Sequence, residues 1–494
     1  MDECGGFEIR CSASYRGFES LTLRRHKPAH TQAIGYGRAF FCFYLAAPSF
    51  WYLCSLMSEQ GFTYTGRRVA LCTLGCKLNF AETSFLGQAL LERGMVLAEE
   101  GEPADLVLVN TCSVTSVADR KSRQLIRRVH RDHPDAVIVV TGCSAQLQPE
   151  RYAKLPGVDL VLGAKEKGAL LHYLDHLSAV DTVEVSPYEE ATTFVPSVSS
   201  EGRTRHFLKV QDGCDYCCSY CTIPFARGHS RSGEVEDLVR RAEQVAAHGG
   251  REIVLTGVNV GDFGRDTGSS FLRLLEALDN VEGIDRFRIS SIEPNLITDE
   301  IIDFVRGSKR FAPHFHIPLQ SGSDKVLRLM RRRYRREVFA HKVELIHRLM
   351  PDAYIGVDVI VGMRGEEEAD FEESAAFIAG LPVSKLHVFP YSERKGTAAL
   401  RITPVVSPEE KHRRTRRLIT ISDRKLSDFT RSQVGTERRL LVEESEGHDW
   451  LYGYTENYLR VRIPYQPGLA GEVVTVRADH VVPGHPDLVE SVPV

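Results

Sequence analysis

Hydrophobic positions in the first third of the chain fall in short unbroken runs. Arg68-Val69-Ala70-Leu71, Leu106-Val107-Leu108-Val109 and Ala136-Val137-Ile138-Val139-Val140 are such runs, and helix-like stretches near 80–94 and 117–131 separate them. β-Branched runs alternating with helices predict parallel strands buried on both faces, and so an N-terminal parallel-sheet α/β domain over 67–180. Pro187, Pro196, Gly202 and a cluster of Ser and Thr mark 181–203 as a linker. Over 204–430 a strand–helix unit repeats about six times, with strands at 206–211, 252–257, 286–291, 314–319, 353–361 and 385–390 and helices at 234–248, 323–349 and 367–380. Six units are fewer than the eight that close a complete barrel, so a partial (β/α)6 barrel is expected. Residues 434–494 hold short strand-like runs divided by turns at Gly447, Glu456-Asn457 and Pro467-Gly468, the pattern of a small antiparallel β-barrel.

Residues 1–66 look unlike the rest. Ala39 to Met57 is nearly all apolar and follows Arg24, Arg25, Lys27 and Arg38, the layout of a signal or anchor, but Pro48 and several small or polar residues interrupt it. The expectation is that translation starts at Met57, that residues 1–56 are an upstream in-frame artefact, and that the protein is cytoplasmic with no membrane partner. Cys4, Cys11, Cys42 and Cys54 then have no role.

Composition narrows the class. With 43% hydrophobic and 26% charged residues the chain reads as a globular protein, and a net charge of -4 excludes a global basic field. Basic residues are clustered instead, at 120–131, 331–336 and 411–417. Each run alone reads as a solvated helix face, whereas three together suggest a surface that meets RNA. None of the 12 cysteines follows Cys221, a distribution unlike a disulfide framework. In a reducing compartment such cysteines are metal ligands or free thiols.

The chemistry concentrates in the loop Gly213-Cys214-Asp215-Tyr216-Cys217-Cys218-Ser219-Tyr220-Cys221-Thr222-Ile223-Pro224. Cys214, Cys218 and Cys221 are spaced to wrap one metal centre. Three thiolates leave one iron of a four-iron cluster open to a small molecule. The alternative is a closed zinc knuckle with Cys217 as fourth ligand. A second trio follows from topology. Cys76, Cys112 and Cys143 each come just after a strand-like run, and ligands of parallel sheets gather beyond the carboxyl ends of the strands. One such cysteine could be ordinary core, but three in equivalent places suggest a site; Cys72, inside its run, reads as a buried thiol.

The other strand ends of the central barrel supply candidate cofactor and substrate contacts: Asn259, Ser291, Glu293 and Gln320. Glu293 suits a ribose or charge contact, while Asn259 and Gln320 fit plain turn residues equally well. Tyr220 either packs on an adenine or belongs to the core. Tyr452, Tyr454 and Tyr458, near Arg460 and Arg462, are candidates to stack on unpaired bases, unless they form barrel core.

The Cys214/Cys218/Cys221 loop, following the run Phe207-Leu208-Lys209-Val210, resembles the radical S-adenosylmethionine (radical SAM) enzymes. Thr73-Leu74-Gly75-Cys76-Lys77-Leu78-Asn79, Asn110-Thr111-Cys112-Ser113-Val114-Thr115 and Thr141-Gly142-Cys143-Ser144-Ala145-Gln146 resemble the N-terminal domain of the radical SAM methylthiotransferases. Ala118-Asp119-Arg120-Lys121-Ser122-Arg123-Gln124 is closest to the subgroup acting on N6-threonylcarbamoyladenosine in tRNA. The similarity spans 67–494, and 434–494 is similar to the RNA-binding TRAM domain. Gly362-Met363-Arg364-Gly365 departs from the Gly-Phe-Pro-Gly-like turn of many relatives.

This resemblance implies two [4Fe-4S] clusters, one on each trio, with SAM bound at the Cys214/Cys218/Cys221 cluster. It implies radical abstraction of hydrogen from adenine C2, followed by transfer of a methylthio group from the Cys76/Cys112/Cys143 cluster, with SAM as both radical source and methyl donor. Such cofactors carry a step that no side-chain acid or base can perform. The implied partners are the tRNA anticodon loop, an electron donor such as flavodoxin or ferredoxin, and a sulfur source. Competing readings are a methylthiotransferase for isopentenyladenosine or a ribosomal-protein aspartate, and a zinc-stabilised, non-catalytic RNA-binding protein.

Overall fold

A computed structural model describes residues 9–11, 62–99, 101–199, 204–443 and 449–494. The expected start at Met57 and the apolar run before it lie outside the described residues.

The N-terminal sheet is built as its apolar runs require. Strands β2 (Arg68–Leu74), β3 (Val96–Leu97), β4 (Leu106–Thr111), β5 (Val137–Gly142), β6 (Val158–Leu162) and β7 (Val183–Glu184) are parallel, and β1 (Ile9–Cys11) pairs antiparallel with β2 at one edge. The spatial order is β1-β2-β4-β5-β6-β7, with β3 beside the start of β2. Every residue of β4 is buried, the mark of a strand covered on both faces. The crossovers carry α1 (Lys77–Glu92), α2 (Ser116–Asp132), α3 (Cys143–Leu147), α4 (Pro149–Ala153) and α5 (Leu170–Asp175). The Thr115 hydroxyl caps α2 by accepting from the Ala118 N–H.

Residues read as linker extend both neighbouring sheets. β7 closes the first, while β8 (Ser197–Val198) pairs antiparallel with β9 (Arg205–Lys209), the first strand of the central barrel. A short ribbon, β10 (Gln211–Asp212) with β11 (Arg231–Ser232), frames the cysteine loop and α6 (Ile223–Arg227).

The barrel continues through α7 (Val235–Ala247), β12 (Glu252–Thr256), α8 (Phe271–Leu278), β13 (Arg286–Ile289), α9 (Asp299–Gly307), β14 (His314–Gln320), α10 (Asp324–Leu329), α11 (Arg336–Leu349), β15 (Tyr354–Val361), α12 (Glu368–Gly380) and β16 (Lys385–Pro390). The order β9-β12-β13 joins β14-β15-β16 through the parallel bridges Phe287↔Phe311 and Ser291↔His316. Six parallel strands in sequence order form an open barrel, as the six-fold repeat predicts.

One helix differs from expectation. The stretch 323–349 is two helices, α10 and α11, because Arg331 takes φ 59° and Tyr334 turns inward to donate to the Pro318 and Leu319 carbonyls. The long helix α13 (Pro408–Ser432) lies against β16 and leads into a closed five-stranded barrel. Its strands are β17 (Glu437–Glu443), β18 (Trp450–Thr455), β19 (Arg460–Pro464), β20 (Val473–Val481) and β21 (Leu488–Pro493). Among the described residues no helix is long and apolar enough to cross a membrane.

The tyrosines of the small barrel correct the sequence reading. Tyr454 and Tyr458 stack on each other at 4.6 Å and turn toward the central barrel, where Arg205 lies over Tyr454 at 5.0 Å and Arg288 over Tyr458 at 4.9 Å. All three tyrosines are half-buried; the rings of Tyr454 and Tyr458 are engaged across the domain boundary, whereas Tyr452 has Arg460 of its own barrel over its ring at 5.9 Å. Arg462 covers Trp450 at 4.1 Å and pairs with Glu490.

Candidate active site

Cys76, Cys112 and Cys143 follow the carboxyl ends of the adjacent strands β2, β4 and β5, whose register aligns Thr73 with Asn110 and Thr111 with Gly142. Two glycines let the loops close around the thiols. Gly75 has φ +111°, and a Cβ there would sit 2.9 Å from Cys112 Sγ; Gly142 has φ +99°, and a Cβ would sit 2.4 Å from the Thr111 carbonyl oxygen. Asn79 ties the β2 and β4 ends together, donating to the Leu74 and Thr111 carbonyls at 2.9 and 3.1 Å. Behind Cys143, Ser144 donates to buried Asp119 at 2.6 Å, and Asp119 pairs with Arg394 of the barrel domain.

Cys214, Cys218 and Cys221 share the loop after β10. Backbone N–H groups of Tyr216 and Ile223 each point at a sulfur, Cys214 and Cys221 respectively, at 3.4 Å, and Arg332 Nη1 donates to Cys218 at 3.3 Å. Burial pushes the Cys214 and Cys221 thiols up to about 12, and it raises those of Cys112, Cys143 and Cys218 as well. Within each trio the thiols also lie in one another's field. Buried neighbouring thiolates need a cationic centre to exist together, and metal binding drives their deprotonation.

These donor sets fit iron–sulfur clusters. They are all sulfur, three to a site, with N–H groups aimed at sulfur in the manner that tunes cluster potentials. A single zinc holds its thiolates within about 4 Å of one another. Among the described residues no group of three Cys, His, Asp or Glu side chains is arranged for a single metal ion.

The two trios approach each other at Cys143 and Cys221. Helix α3, which begins at Cys143, packs on α6, and Cys143 lies in the field of Cys221. Arg227, at the end of α6, donates from Nε to Cys143 Sγ at 3.2 Å. Its other nitrogens reach Glu82 at 3.0 Å, Asp212 at 2.9 Å and Asn79 at 2.6 Å. Lys167 and Lys209 also reach Glu82, while Lys209 and Arg231 reach Asp212. Burial opposes ionisation of Glu82 and Asp212, but the surrounding cations outweigh it and hold both carboxyls well below their usual range. No local spacing in the sequence marks this network, because its members come from separated stretches at 79–82, 143, 167, 209–212 and 227–231.

The strand-end candidates divide. Glu293 pairs with Arg332, which also reaches the Tyr220 hydroxyl at 3.4 Å and Cys218, so Glu293, Tyr220 and the cysteine loop form one cluster. Burial raises the Glu293 carboxyl against the pull of Arg332. Ser291 is half-buried where β13 bridges β14. Gln320 ends β14 at φ 64°, a conformation uncommon outside glycine, beside a bulge at Pro318. Asn259 donates to Asp262 at 3.1 Å, and its buried Oδ1 has no partner.

Arg332 and Arg333 correct the reading of 331–336 as an RNA-facing run. Both hold the cysteine loop: Arg332 as above, and Arg333 by donating to the Asp215 carbonyl while lying 4.0 Å over Tyr216. The 411–417 run is similarly engaged, with Arg413, Arg414 and Arg417 paired to Glu366, Glu368, Glu372 and Glu410. On α2, by contrast, Arg120 and Arg127 are exposed and pair with no described residue.

Comparison with known proteins agrees with this geometry. Residues 68–163 match the family described as Uncharacterized protein family UPF0004, and 208–378 match the Radical SAM superfamily. The threonylcarbamoyladenosine tRNA methylthiotransferase MtaB of Bacillus subtilis (strain 168) is 40% identical over 423 residues, covering 83% of this chain and 93% of that protein. The chain belongs to the radical SAM methylthiotransferase family. The MtaB of Aquifex aeolicus (strain VF5) is 38% identical over 80% of this chain and 96% of its own length. In fold, this methylthiotransferase is similar to the radical SAM methyltransferase TsrM of Kitasatospora setae, solved with tryptophan and aza-SAM, at a TM-score of 0.51 and 16% identity over 65% of this chain and 73% of that one.

Proposed function

We propose that this enzyme adds a methylthio group to C2 of N6-threonylcarbamoyladenosine at position 37, in the anticodon loop of tRNA. The observation that carries the reading is the approach of the two cysteine trios, with Cys221 in the field of Cys143 and Arg227, from the helix that follows the cysteine loop, bonded to Cys143. The activity named for the Bacillus subtilis and Aquifex aeolicus relatives supports the choice of nucleoside.

Cys214, Cys218 and Cys221 would hold one [4Fe-4S] cluster, and Cys76, Cys112 and Cys143 the other, with SAM against Tyr220, Asn259, Ser291, Glu293 and Gln320. Bound there, the clusters and SAM supply a radical that takes hydrogen from C2 and the methylthio sulfur that replaces it. The chain's own part is placement. Arg332 fixes Cys218, Tyr220 and Glu293 relative to one another. Arg227 fixes the α6 end of the cysteine loop against Cys143, and the packed ion pairs around it keep water from the gap. A base from a single-stranded loop can be splayed into such a site at modest cost. The exposed arginines of α2 are suited to the phosphates of that RNA. An electron donor such as flavodoxin or ferredoxin and a sulfur source complete the reaction.

Mass spectrometry of tRNA nucleosides from a strain lacking the gene tests this. The reading expects threonylcarbamoyladenosine to remain and its 2-methylthio derivative to vanish. Loss of methylthio-isopentenyladenosine instead, or of a methylthio-aspartate in a ribosomal protein, would contradict it.

A further inference from the structure

Lys77 directly follows Cys76 and opens α1, yet its side chain enters the central barrel. Its ammonium lies in the field of Tyr458 from the small barrel and of a titratable side chain from every strand of the central one: Arg205 of β9, Glu252 of β12, Arg288 of β13, His314 of β14, Asp358 of β15 and His387 of β16. A point near the barrel axis satisfies all six at once. The residue is exposed to open space but ringed by protein, as expected of a side chain standing in a cavity rather than on the outer surface.

The carboxylates at this floor are already matched. Glu252 takes Arg286 and Arg288, Arg205 takes Glu443, and Asp358 takes His316 at 2.8 Å. Lys77 makes no hydrogen bond or ion pair with any described residue. An unmatched cation ringed by protein asks for an oxyanion.

We propose that Lys77 forms a carboxylate subsite that takes the threonyl carboxylate of the substrate nucleoside. The inference rests on the reading of threonylcarbamoyladenosine as substrate and deepens it. That nucleoside ends in a free carboxylate on N6, whereas an isopentenyl group is apolar. The residue beside the Cys76/Cys112/Cys143 trio is therefore a specificity-determining residue.

The test uses the reconstituted full-length protein with SAM at fixed salt. Dissociation constants are measured by filter binding for anticodon stem–loop RNAs carrying threonylcarbamoyladenosine, its threonine methyl ester, isopentenyladenosine or plain adenosine at position 37. Wild type should bind the acid about 10- to 100-fold tighter than the ester, the range for a hydrogen bond to a charged group. Lys77→Met should bring that ratio close to one with iron content unchanged, and Lys77→Arg should keep most of it. If Lys77→Met loads poorly, Lys77→Gln serves for the same comparison. A Met or Gln variant that still prefers the acid as wild type does overturns the subsite. Equal weakening of the plain adenosine and threonylcarbamoyl RNAs also overturns it, by assigning the anion to a backbone phosphate. A wild type that treats acid, ester and isopentenyl RNAs alike refutes the substrate reading itself, and the subsite with it.

Discussion

Arg227 donates from Nε to Cys143 Sγ at 3.2 Å, although the two residues belong to different domains and stand at the edges of different cysteine trios. The same guanidinium satisfies Glu82 and Asp212, both buried. Geometry between the trios is thus set by a bridging side chain as well as by packing. Replacing Arg227 with Met removes one partner from buried charge pairs, a change that costs about 3–5 kcal/mol. Chemical denaturation of the metal-free protein should show that loss. Arg227→Lys should fall between, because an ammonium cannot reproduce the planar fork.

Arg332 plays a comparable part at the other trio. It joins Cys218, Tyr220 and Glu293 and is nearly fully buried. Arg332→Leu is expected to lower SAM cleavage by about 10- to 100-fold, the usual cost of losing a ligand-orienting partner. Reductive cleavage assays that count 5′-deoxyadenosine per iron check this.

Glu252 anchors the small barrel to the central one. It holds Arg286 and Arg288, which in turn donate to the Arg439, Tyr454 and Glu456 carbonyls. Burial would raise its carboxyl, but Arg288, Arg286 and Arg205 hold it below its usual 4.5. A depressed carboxyl stabilises the fold above its unfolded value and loses that contribution as pH falls through the folded value. Stability should therefore drop as pH falls below 4.5, and Glu252→Gln should flatten this part of the profile. At neutral pH the same variant should be less stable by about 3–5 kcal/mol and cleave first between residues 433 and 437 in limited proteolysis.

The basic runs separate by charge balance. Removing exposed Arg120 and Arg127 from α2 should weaken tRNA binding and reduce the salt slope by roughly 0.7–0.9 for each phosphate no longer neutralised. Removing Arg413 and Arg417, already paired with glutamates, should change that slope far less.

Much of the architecture is legible because each signal is local or periodic. Continuous β-branched runs identify β4 and β5, six strand–helix repeats identify the open barrel, and a cysteine after each of three parallel strands locates Cys76, Cys112 and Cys143. What the sequence hides is long-range pairing. Arg332 sits in an arginine run that reads like a solvated face until Tyr334 turns inward and breaks the helix. Tyr454 and Tyr458 alternate as a barrel strand and its turn should, yet they pack on Arg205 and Arg288, more than 150 residues earlier in the chain. Lys77 looks like an ordinary first-turn lysine, and only the position of α1 over the barrel carries it inside.

The most direct test of two distinct sulfur-ligated centres is a paired measurement on Cys76→Ala and Cys214→Ala after anaerobic reconstitution. Iron per chain should fall from about eight to about four in each variant. Cys76→Ala should still cleave SAM while forming no methylthio nucleoside, and Cys214→Ala should do neither. Methylthio product from the Cys76→Ala protein, or an undiminished iron count in either variant, would contradict the division of labour between the two trios.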